Sequence, residues 1–206
     1  MKRVKLQWIK RERQRLGIQM HANEIFFIAR AIKPPVNFLI FGMGNDSPFW
    51  FKLNQRGRTV FVEDREEWFR KIRGENPFLE AYLVNYGTTL TEATELIDCP
   101  GRLAMDLPSD IKKTQWDVIL IDGPAGYEDN TPGRMKSIYE SSRLIKQGGS
   151  VFVHDQEREV ERAYGDRYLL KANVVAEVNG RATLRHYRYR RATGRVPTKA
   201  ERESRQ

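Results

Sequence analysis

The sequence of 206 residues is poor in the side chains that build cross-links and metal clusters, with one cysteine, Cys99, and three histidines. A single cysteine excludes an intramolecular disulfide and any cysteine-cluster metal site, and it suits a reducing compartment. No stretch approaches the ~20 apolar residues that a membrane-spanning helix needs, and the charged start differs from a secretory signal. These absences predict a cytoplasmic protein with no membrane partner.

Acidic residues are also scarce relative to basic ones, because 36 Lys and Arg face 27 Asp and Glu, a formal net charge of +9. Much of the excess lies in the first 16 and last 22 residues. Such a balance favours an anionic partner such as an acidic polymer, a nucleic acid or an anionic membrane surface. Solvated basic ends explain the same charge, so the balance alone does not select a partner.

The remaining composition is that of a folded protein, with 40% hydrophobic and 11% aromatic residues. The length suits one domain, and no repeat or linker divides it. We predict a basic N-terminal segment with a covering helix over 1–35, one domain over 36–189, and a basic, flexible tail over 190–206.

Apolar runs of strand length alternate with segments of helical spacing, which indicates βαβ units and a mostly parallel sheet. Asn179-Gly180, between two further strand-like runs, predicts a closing antiparallel hairpin. The fold class is therefore α/β, a doubly wound, mostly parallel sheet. Predicted strands are 36–42, 58–63, 80–87, 116–123 and 150–155; predicted helices are 21–33, 48–56, 65–74, 89–97 and 132–147, the last capped by Thr131, while 99–114 is predicted as a long loop.

The residues that follow the first two strands point to a nucleotide-type cofactor. Gly42 and Gly44 permit a tight turn with close backbone approach, and Glu63 lies where a carboxylate accepts hydrogen bonds from a ribose diol. The acidic Asp64 follows directly. The glycine pattern fits neither common template, because Ser47 stands where a dinucleotide fingerprint has its third glycine, and Asp46 where the usual methyltransferase pattern has it.

Asp46 bears on the choice of cofactor, although a plain helix N-cap is the competing interpretation. A carboxylate at a helix start repels the pyrophosphate of NAD, which would bind there. S-adenosylmethionine has no phosphate and carries a sulfonium cation. The sequence therefore favours S-adenosylmethionine over NAD, while an NAD-dependent oxidoreductase or epimerase stays an alternative.

A second polar group, Asp122, His154 and Asp155, follows the fourth and fifth strands. Adjacent parallel strands end at the same sheet edge, so these side chains are expected to converge beside the cofactor. They can accept a proton or hold one divalent cation, and either activates a weakly acidic hydroxyl. A loop cap for Asp122 and a core role for His154 are the structural alternatives.

With these motifs in place, the chain resembles the glucuronoxylan 4-O-methyltransferase family, whose members methylate glucuronic acid groups of xylan and related polymers. The resemblance covers about 36–189. It is carried by "NFLIFGMGNDSPFW", "GRTVFVED", "AYLVNYGT", "WDVILIDGPAGY", "PGRM", "VFVHD" with "REVE", and "LRHY". It implies a Rossmann-like, class I methyltransferase fold that binds S-adenosylmethionine and transfers methyl to an acidic saccharide.

The resemblance also implies roles for individual residues. Gly42, Gly44, Asp46, Glu63, Asp64 and Asp122 would bind the donor; His154 would be the leading base, and Asp122, His154 and Asp155 the catalytic and metal-binding set. Arg134 would pair with an acceptor carboxylate, unless it is a solvated helix arginine, and Tyr127 and Asn45 would contact the acceptor. Asn45 departs from the His of relatives. The chain also lacks the membrane anchor and stem of plant members, which implies a soluble, microbial relative whose acceptor need not be xylan.

Two further alternatives remain: one concerns the identity of the acceptor, and the other concerns whether the chain is an enzyme. A methyltransferase for nucleic acid or a small molecule fits the basic charge, but the sequence has no aromatic-and-basic RNA-binding module. The other alternative is a basic α/β binding module that has lost activity.

Overall fold

The computed structural model describes residues 4–190, and seven strands form one sheet in the order β3-β2-β1-β4-β5-β7-β6. The elements are α1 (Leu6–Leu16), α2 (Ala22–Ala31), β1 (Asn37–Phe41), α3 (Ser47–Leu53), β2 (Arg58–Glu63), α4 (Glu66–Glu75), β3 (Glu80–Leu83), α5 (Ala93–Leu96), α6 (Pro100–Leu103), α7 (Ser109–Lys113), β4 (Trp116–Ile121), α8 (Met135–Leu144), β5 (Ile145–Val153), α9 (Glu159–Tyr164), β6 (Val174–Asn179) and β7 (Thr183–Arg188). Short 3-10 turns at Leu90–Glu92 and Lys171–Asn173 and a π-helical turn at Gly165–Leu170 complete the course.

Strands β1 to β5 run parallel and β7 is antiparallel to both neighbours. The chain reverses its direction of strand addition between β1 and β4, which lie side by side. Ligands of open α/β sheets bind at such a switch point, outside the carboxyl ends of the strands. The predicted α/β class, the parallel sheet and the closing antiparallel hairpin are confirmed.

Apolar side chains cover both faces of the sheet, because a strand directs alternate residues to opposite sides. In β1, Leu39 and Phe41 join the cluster under α8, whereas Phe38 and Ile40 join the one under α1 to α4. All four are at most 2% exposed. Continuous apolar strands therefore follow from burial on two sides.

The first helix is an addition to the expected elements. The predicted covering helix is α2, whereas α1 lies in the segment that was expected only to be basic. Ile9 of α1 is buried, and Gly17 ends the helix in the left-handed conformation at φ 65°. The two helices pack together and bring the segment between them to the edge of the sheet where the site lies.

Several expected element boundaries were wrong: among the strands, β3 ends at Leu83 rather than at 87, and β5 begins at Ile145 rather than at 150. The 99–114 segment contains α6 and α7 rather than a continuous loop. Helix α8 starts at Met135, not after a Thr131 cap, because Gly133 has φ 68° and donates its N–H to the carbonyl of Ala125. It ends at Leu144, because the next residue, Ile145, already pairs with β4.

The described residues, 4–190, leave out both ends of the chain. The predicted tail lies outside the described residues except for Arg190. Between positions 4 and 190, no helix has the length and apolar character needed to cross a bilayer.

Candidate functional site

A cleft of about 850 Å³ opens at the carboxyl ends of the central strands. This volume lies within the roughly 300–1,000 Å³ typical of ligand pockets. Its lining combines both predicted constellations with residues from the α1–α2 connection and the β6–β7 turn. Sequence-predicted residues on its wall are Gly42, Gly44, Asn45, Asp46, Glu63, Asp64, Asp122, Tyr127, Arg134, His154 and Asp155.

The loop after β1 passes very close to the loop after β4. Gly42 has φ 106°, and a Cβ added there would lie 3.0 Å from the backbone nitrogen of Gly123. A Cβ on Gly123 would lie 2.8 Å from the Cα of Gly42. The first glycine of the motif is therefore required by contact between two backbones of the protein itself, and both Gly42 and Gly44 line the cleft.

Glu63 holds this loop from the neighbouring strand. Its Oε2 accepts from the Met43 N–H at 2.8 Å, and its Oε1 accepts from the Arg65 N–H at 2.8 Å and the Asp64 N–H at 3.1 Å. Burial raises the pKa of Glu63 to about 7, although these backbone donors oppose the shift. The carboxylate is thus fixed in position while it still titrates near neutral pH.

Asp46 occupies the N-cap position of α3, but its side chain does not cap the helix. Its Oδ2 instead accepts from the indole Nε1 of Trp50 at 2.7 Å. Burial and the charge of Asp122 raise the pKa of Asp46 to about 6. Asp46 therefore does not cap the helix with its side chain. The buried indole of Trp50 instead holds its carboxyl group at the cleft.

His154 lies at the centre of a cluster of carboxylates. Its Nδ1 is 3.0 Å from Oδ1 of Asp122 and 3.3 Å from Oδ1 of Asp155. The convergence expected from adjacent strand ends is thus present, since β4 and β5 pair directly.

The cluster has a fourth member, Glu24, that was not predicted from the sequence. This residue of α2 is fully buried, and its Oε1 lies 3.2 Å from Nε2 of His154. Its Oε2 accepts from the backbone N–H of His21, so the same carboxyl group caps the helix. The spacing His21-x-x-Glu24 is typical of a capping box, but it carries no signal for contact with a residue 130 positions away.

These partners set the charge of the histidine. Burial alone would lower the pKa of His154, but hydrogen bonds to Asp122, Asp155 and Glu24 outweigh it and raise the pKa to about 11. An imidazolium donates from both nitrogens and accepts from neither. His154 can therefore accept a proton only after it has lost the one on Nδ1. The predicted role of His154 as the leading base did not take this requirement into account.

Arg134 has partners other than the expected acceptor carboxylate. It is 4% exposed, which excludes the solvated alternative, and its Nη2 lies 2.7 Å from Oδ2 of Asp155. It also donates to the carbonyls of Asp122, Pro124 and His154. Arg134 is thus a positioning residue that joins the ends of β4 and β5 rather than a free cation.

Asp155 is correspondingly stabilised as an anion. Burial works to raise its pKa, but the hydrogen bond from His154 and the charges of Arg134 and Arg158 hold it well below the usual range. Its two carboxylate oxygens have different partners: Oδ2 contacts Arg134 and Arg158, whereas Oδ1 faces His154.

This division suits a cation site. One ligand atom each from Asp122, His154 and Asp155 lies within 4.8 Å of the others. Glu24 occupies Nε2 of the histidine, as a carboxylate does behind many metal-bound histidines, and leaves Nδ1 as the ligand atom. Two carboxylate oxygens and an imidazole nitrogen can hold one divalent cation.

The two remaining acceptor residues differ in placement. Tyr127 is 66% exposed and stands on the cleft wall. Asn45 donates its side-chain N–H to the carbonyl of Gly17 at 3.3 Å, which ties the glycine loop to the end of α1.

Comparison with known proteins agrees with this architecture. The family model described as IRX15/IRX15L/GXM matches residues 23–102 and 98–187. Glucuronoxylan 4-O-methyltransferase 1 of Arabidopsis thaliana is 38% identical over 82% of this chain and 67% of its own length. Arabinogalactan O-methyltransferase 1 of the same plant is 36% identical over 74% of this chain and 60% of its length, so the chain spans about two thirds or less of these relatives.

Solved structures support the fold. A TehB-like SAM-dependent methyltransferase from Corynebacterium glutamicum superposes with a TM-score of 0.56 at 13% identity, covering 88% of this chain and 94% of its own. The sheet is therefore that of class I methyltransferases, as the resemblance implied. The two matches to the family model together cover residues 23–187. The chain therefore belongs to the IRX15/IRX15L/GXM family.

Proposed function

We propose that the chain is an S-adenosylmethionine-dependent O-methyltransferase that acts on a hydroxyl of an acidic, glucuronic-acid-type saccharide. The observation that carries this proposal is the single cleft that contains both the Glu63 end and the His154 cluster. Donor and acceptor chemistry thus have one common space at the switch point of the sheet. The family relatives named as saccharide O-methyltransferases support the acceptor class.

The donor is assigned to the β1–β2 side of the cleft. Ionised Glu63 presents fixed carboxylate oxygens to a ribose diol, and the loop that contains Gly44 lines the same side of the sheet edge. Asp46 and Asp122 provide negative charge for a sulfonium cation, which no dinucleotide cofactor carries. This charge distribution favours the methyl donor over NAD.

The acceptor hydroxyl is assigned to the face of Asp122, whose side chain is 31% exposed while Asp155 and His154 are nearly covered. Its carboxylate can accept the hydroxyl proton as oxygen attacks the methyl carbon and the sulfur leaves as a neutral thioether. Asp122, His154 and Asp155 would hold a divalent cation, which would supply Lewis-acid activation of a hydroxyl. Arg134 and Glu24 keep these groups in place.

The test uses labelled S-adenosylmethionine with xylo-oligosaccharides that carry a glucuronic acid branch. We expect label in the saccharide, loss of donor binding in Glu63→Ala by calorimetry, and loss of transfer with retained donor binding in His154→Ala. Arg56→Gln, an exposed arginine outside the cleft, is the matched control. Absence of donor binding in the wild-type protein would overturn the proposal, and label entering RNA instead would replace the acceptor class.

A chelator arm addresses the cation. If Asp122, His154 and Asp155 hold a metal needed for transfer, chelation abolishes label transfer and added divalent cation restores it. Full activity after exhaustive chelation would reject the metal and leave Asp122 as the proton acceptor.

A further inference from the structure

The lining of the cleft is rich in carboxylates, which raises the question of how an anionic acceptor is tolerated. Asp46, Asp122, Asp155 and the exposed Glu157 all line it. Like charges within a cleft disfavour an anion, whereas an opposite charge at the mouth attracts it. A cation with free donors is therefore needed on the acceptor side.

Four arginines line the cleft, and they differ in what they can still bind. Arg134 is buried among five oxygen partners. Arg158 pairs with Asp155 at 3.0 Å and donates to the carbonyl of Gly126. Arg65 adjoins Glu63 at the end of β2, three strand spacings from β5, roughly 14 Å at ~4.8 Å per strand.

Arg181 is the remaining one. It is exposed at the turn between β6 and β7, and among residues 4–190 its guanidinium has neither an ion pair nor a hydrogen bond. Since β7 pairs directly with β5, this turn lies on the side of the cleft where His154 and Asp155 end their strand.

The turn is held in place rather than projecting freely. Gly180 packs on the buried carboxyl group of Glu24, because a Cβ on that glycine would lie 2.4 Å from the carboxyl carbon. Thr183 donates its N–H to Oε2 of Glu157 at 2.8 Å and accepts from the Gln156 N–H at 2.9 Å. Arg181 is thus anchored on both flanks, next to the carboxylate that contacts His154.

We propose that Arg181 is the specificity-determining residue that recognises the carboxylate of the acceptor sugar. This inference rests on the proposed function and names the group that selects an acidic over a neutral saccharide. A guanidinium offers two parallel N–H donors that match a carboxylate, a geometry that an ammonium lacks. Tyr127, which is exposed, also lines the cleft.

The test compares label transfer to a glucuronic-acid-branched xylo-oligosaccharide with transfer to the same oligosaccharide after reduction of its carboxyl group. For wild type, we expect kcat/KM on the acidic acceptor to exceed that on the reduced one. Arg181→Gln should lower kcat/KM on the acidic acceptor by about tenfold, mainly through KM, and change it less than about twofold on the reduced one. Arg181→Lys should restore part of the preference.

Arg56→Gln, an exposed arginine outside the cleft, is the control and should behave as wild type on both acceptors. Donor affinity, measured by calorimetry with S-adenosylhomocysteine, should be unchanged in Arg181→Gln. Transfer with an undiminished acid preference in Arg181→Gln would overturn the inference and leave the proposed function standing. Absence of donor binding in the wild type would overturn the proposed function, and the inference with it.

Discussion

The titration of Glu63 links donor binding to pH in a calculable way. The pKa of this carboxyl group is raised to about 7, first by burial. If the donor ribose binds only the ionised form, apparent affinity scales with the ionised fraction. That fraction is about 0.9 at pH 8 and about 0.09 at pH 6, so the dissociation constant should rise about tenfold between them.

The free energy of unfolding of the ligand-free protein should move in the opposite direction. Because the folded-state pKa of Glu63 lies above the unfolded value near 4.5, the folded protein binds more protons between about pH 4.5 and 7. Stability from this group is therefore gained as pH falls through 7 and lost as pH rises. Between pH 8 and 6 the gain is about 1.3 kcal/mol, equal to the cost that the donor must overcome.

The assay is calorimetric titration with S-adenosylhomocysteine at pH 6, 7 and 8, with urea unfolding of the free protein at the same pH values. Glu63→Gln should bind S-adenosylhomocysteine weakly, and its dissociation constant should no longer change with pH through this group. It should also lose about 1–3 kcal/mol of stability, because an amide offers one oxygen to three backbone donors.

Asp64→Asn is the matched control, since the pKa of Asp64 is also raised, first by burial, and the two carboxyl groups are neighbours. The pH slope of the dissociation constant should persist in Asp64→Asn, with its midpoint moved to lower pH, because Asp64 also helps to raise the pKa of Glu63. A pH-independent dissociation constant in wild type, or an equal slope in wild type and Glu63→Gln, would refute the reasoning.

Three further predictions concern the framework of the site. Gly42→Ala should destabilise the fold by about 1–3 kcal/mol in thermal unfolding, because its φ is 106° and the new Cβ meets Gly123; wild-type stability would contradict this. Arg134→Ala should cost about 3–5 kcal/mol, since it leaves Asp155 buried without that partner, and a loss below 1 kcal/mol would show that the pair is not structural. Asn54→Ala should cost about 1–3 kcal/mol by urea unfolding, because the buried amide bonds both backbone groups of Val36; an unchanged midpoint would contradict it.

The positions of Asp122, His154 and Asp155 could be predicted, because the sequence indicates clearly both where β4 and β5 end and that the two strands are parallel. Strands buried on both faces read as apolar runs, and the first polar residue after each run marks the carboxyl end. Parallel pairing then brings the ends of β4 and β5 together, whatever the loops do. Local sequence and global topology thus give the same answer for these three residues.

The helix before β5 could not be bounded in the same way. Gly148 and Gly149 imitate a helix end, but they lie within β5, where the pairing with β4 shifts between Trp116 and Val118. Ile145 begins the strand and the glycines accommodate the irregularity. A glycine pair signals a break in regular backbone, and only the partner strand decides which element is broken.

Glu24 shows a different limit, because its local role conceals its tertiary one. The capping box with His21 fully accounts for the residue within α2, so the sequence offers no reason to look further. Its contact with His154 depends on how α2 lies across the sheet and on Gly180 leaving room above it. Both conditions belong to packing between distant segments, which no spacing along the chain reports.

The arrangement of charge in the cleft follows from these same contacts. Carboxylates from α2 and from the residues that follow β4 and β5 surround one imidazolium, while Arg134 and Arg158 both pair with Asp155. Arg181, whose guanidinium has no ion pair or hydrogen bond within residues 4–190, is exposed and also lines the cleft. Opposite charges 4 Å apart interact by about 4 kcal/mol at an effective dielectric of 20, and salt screens the exposed mouth far more than the covered floor. On the proposed function, a cleft with this charge distribution would attract the anionic acceptor at Arg181 and the cationic donor at the carboxylates, and the two would meet where Asp122 is exposed.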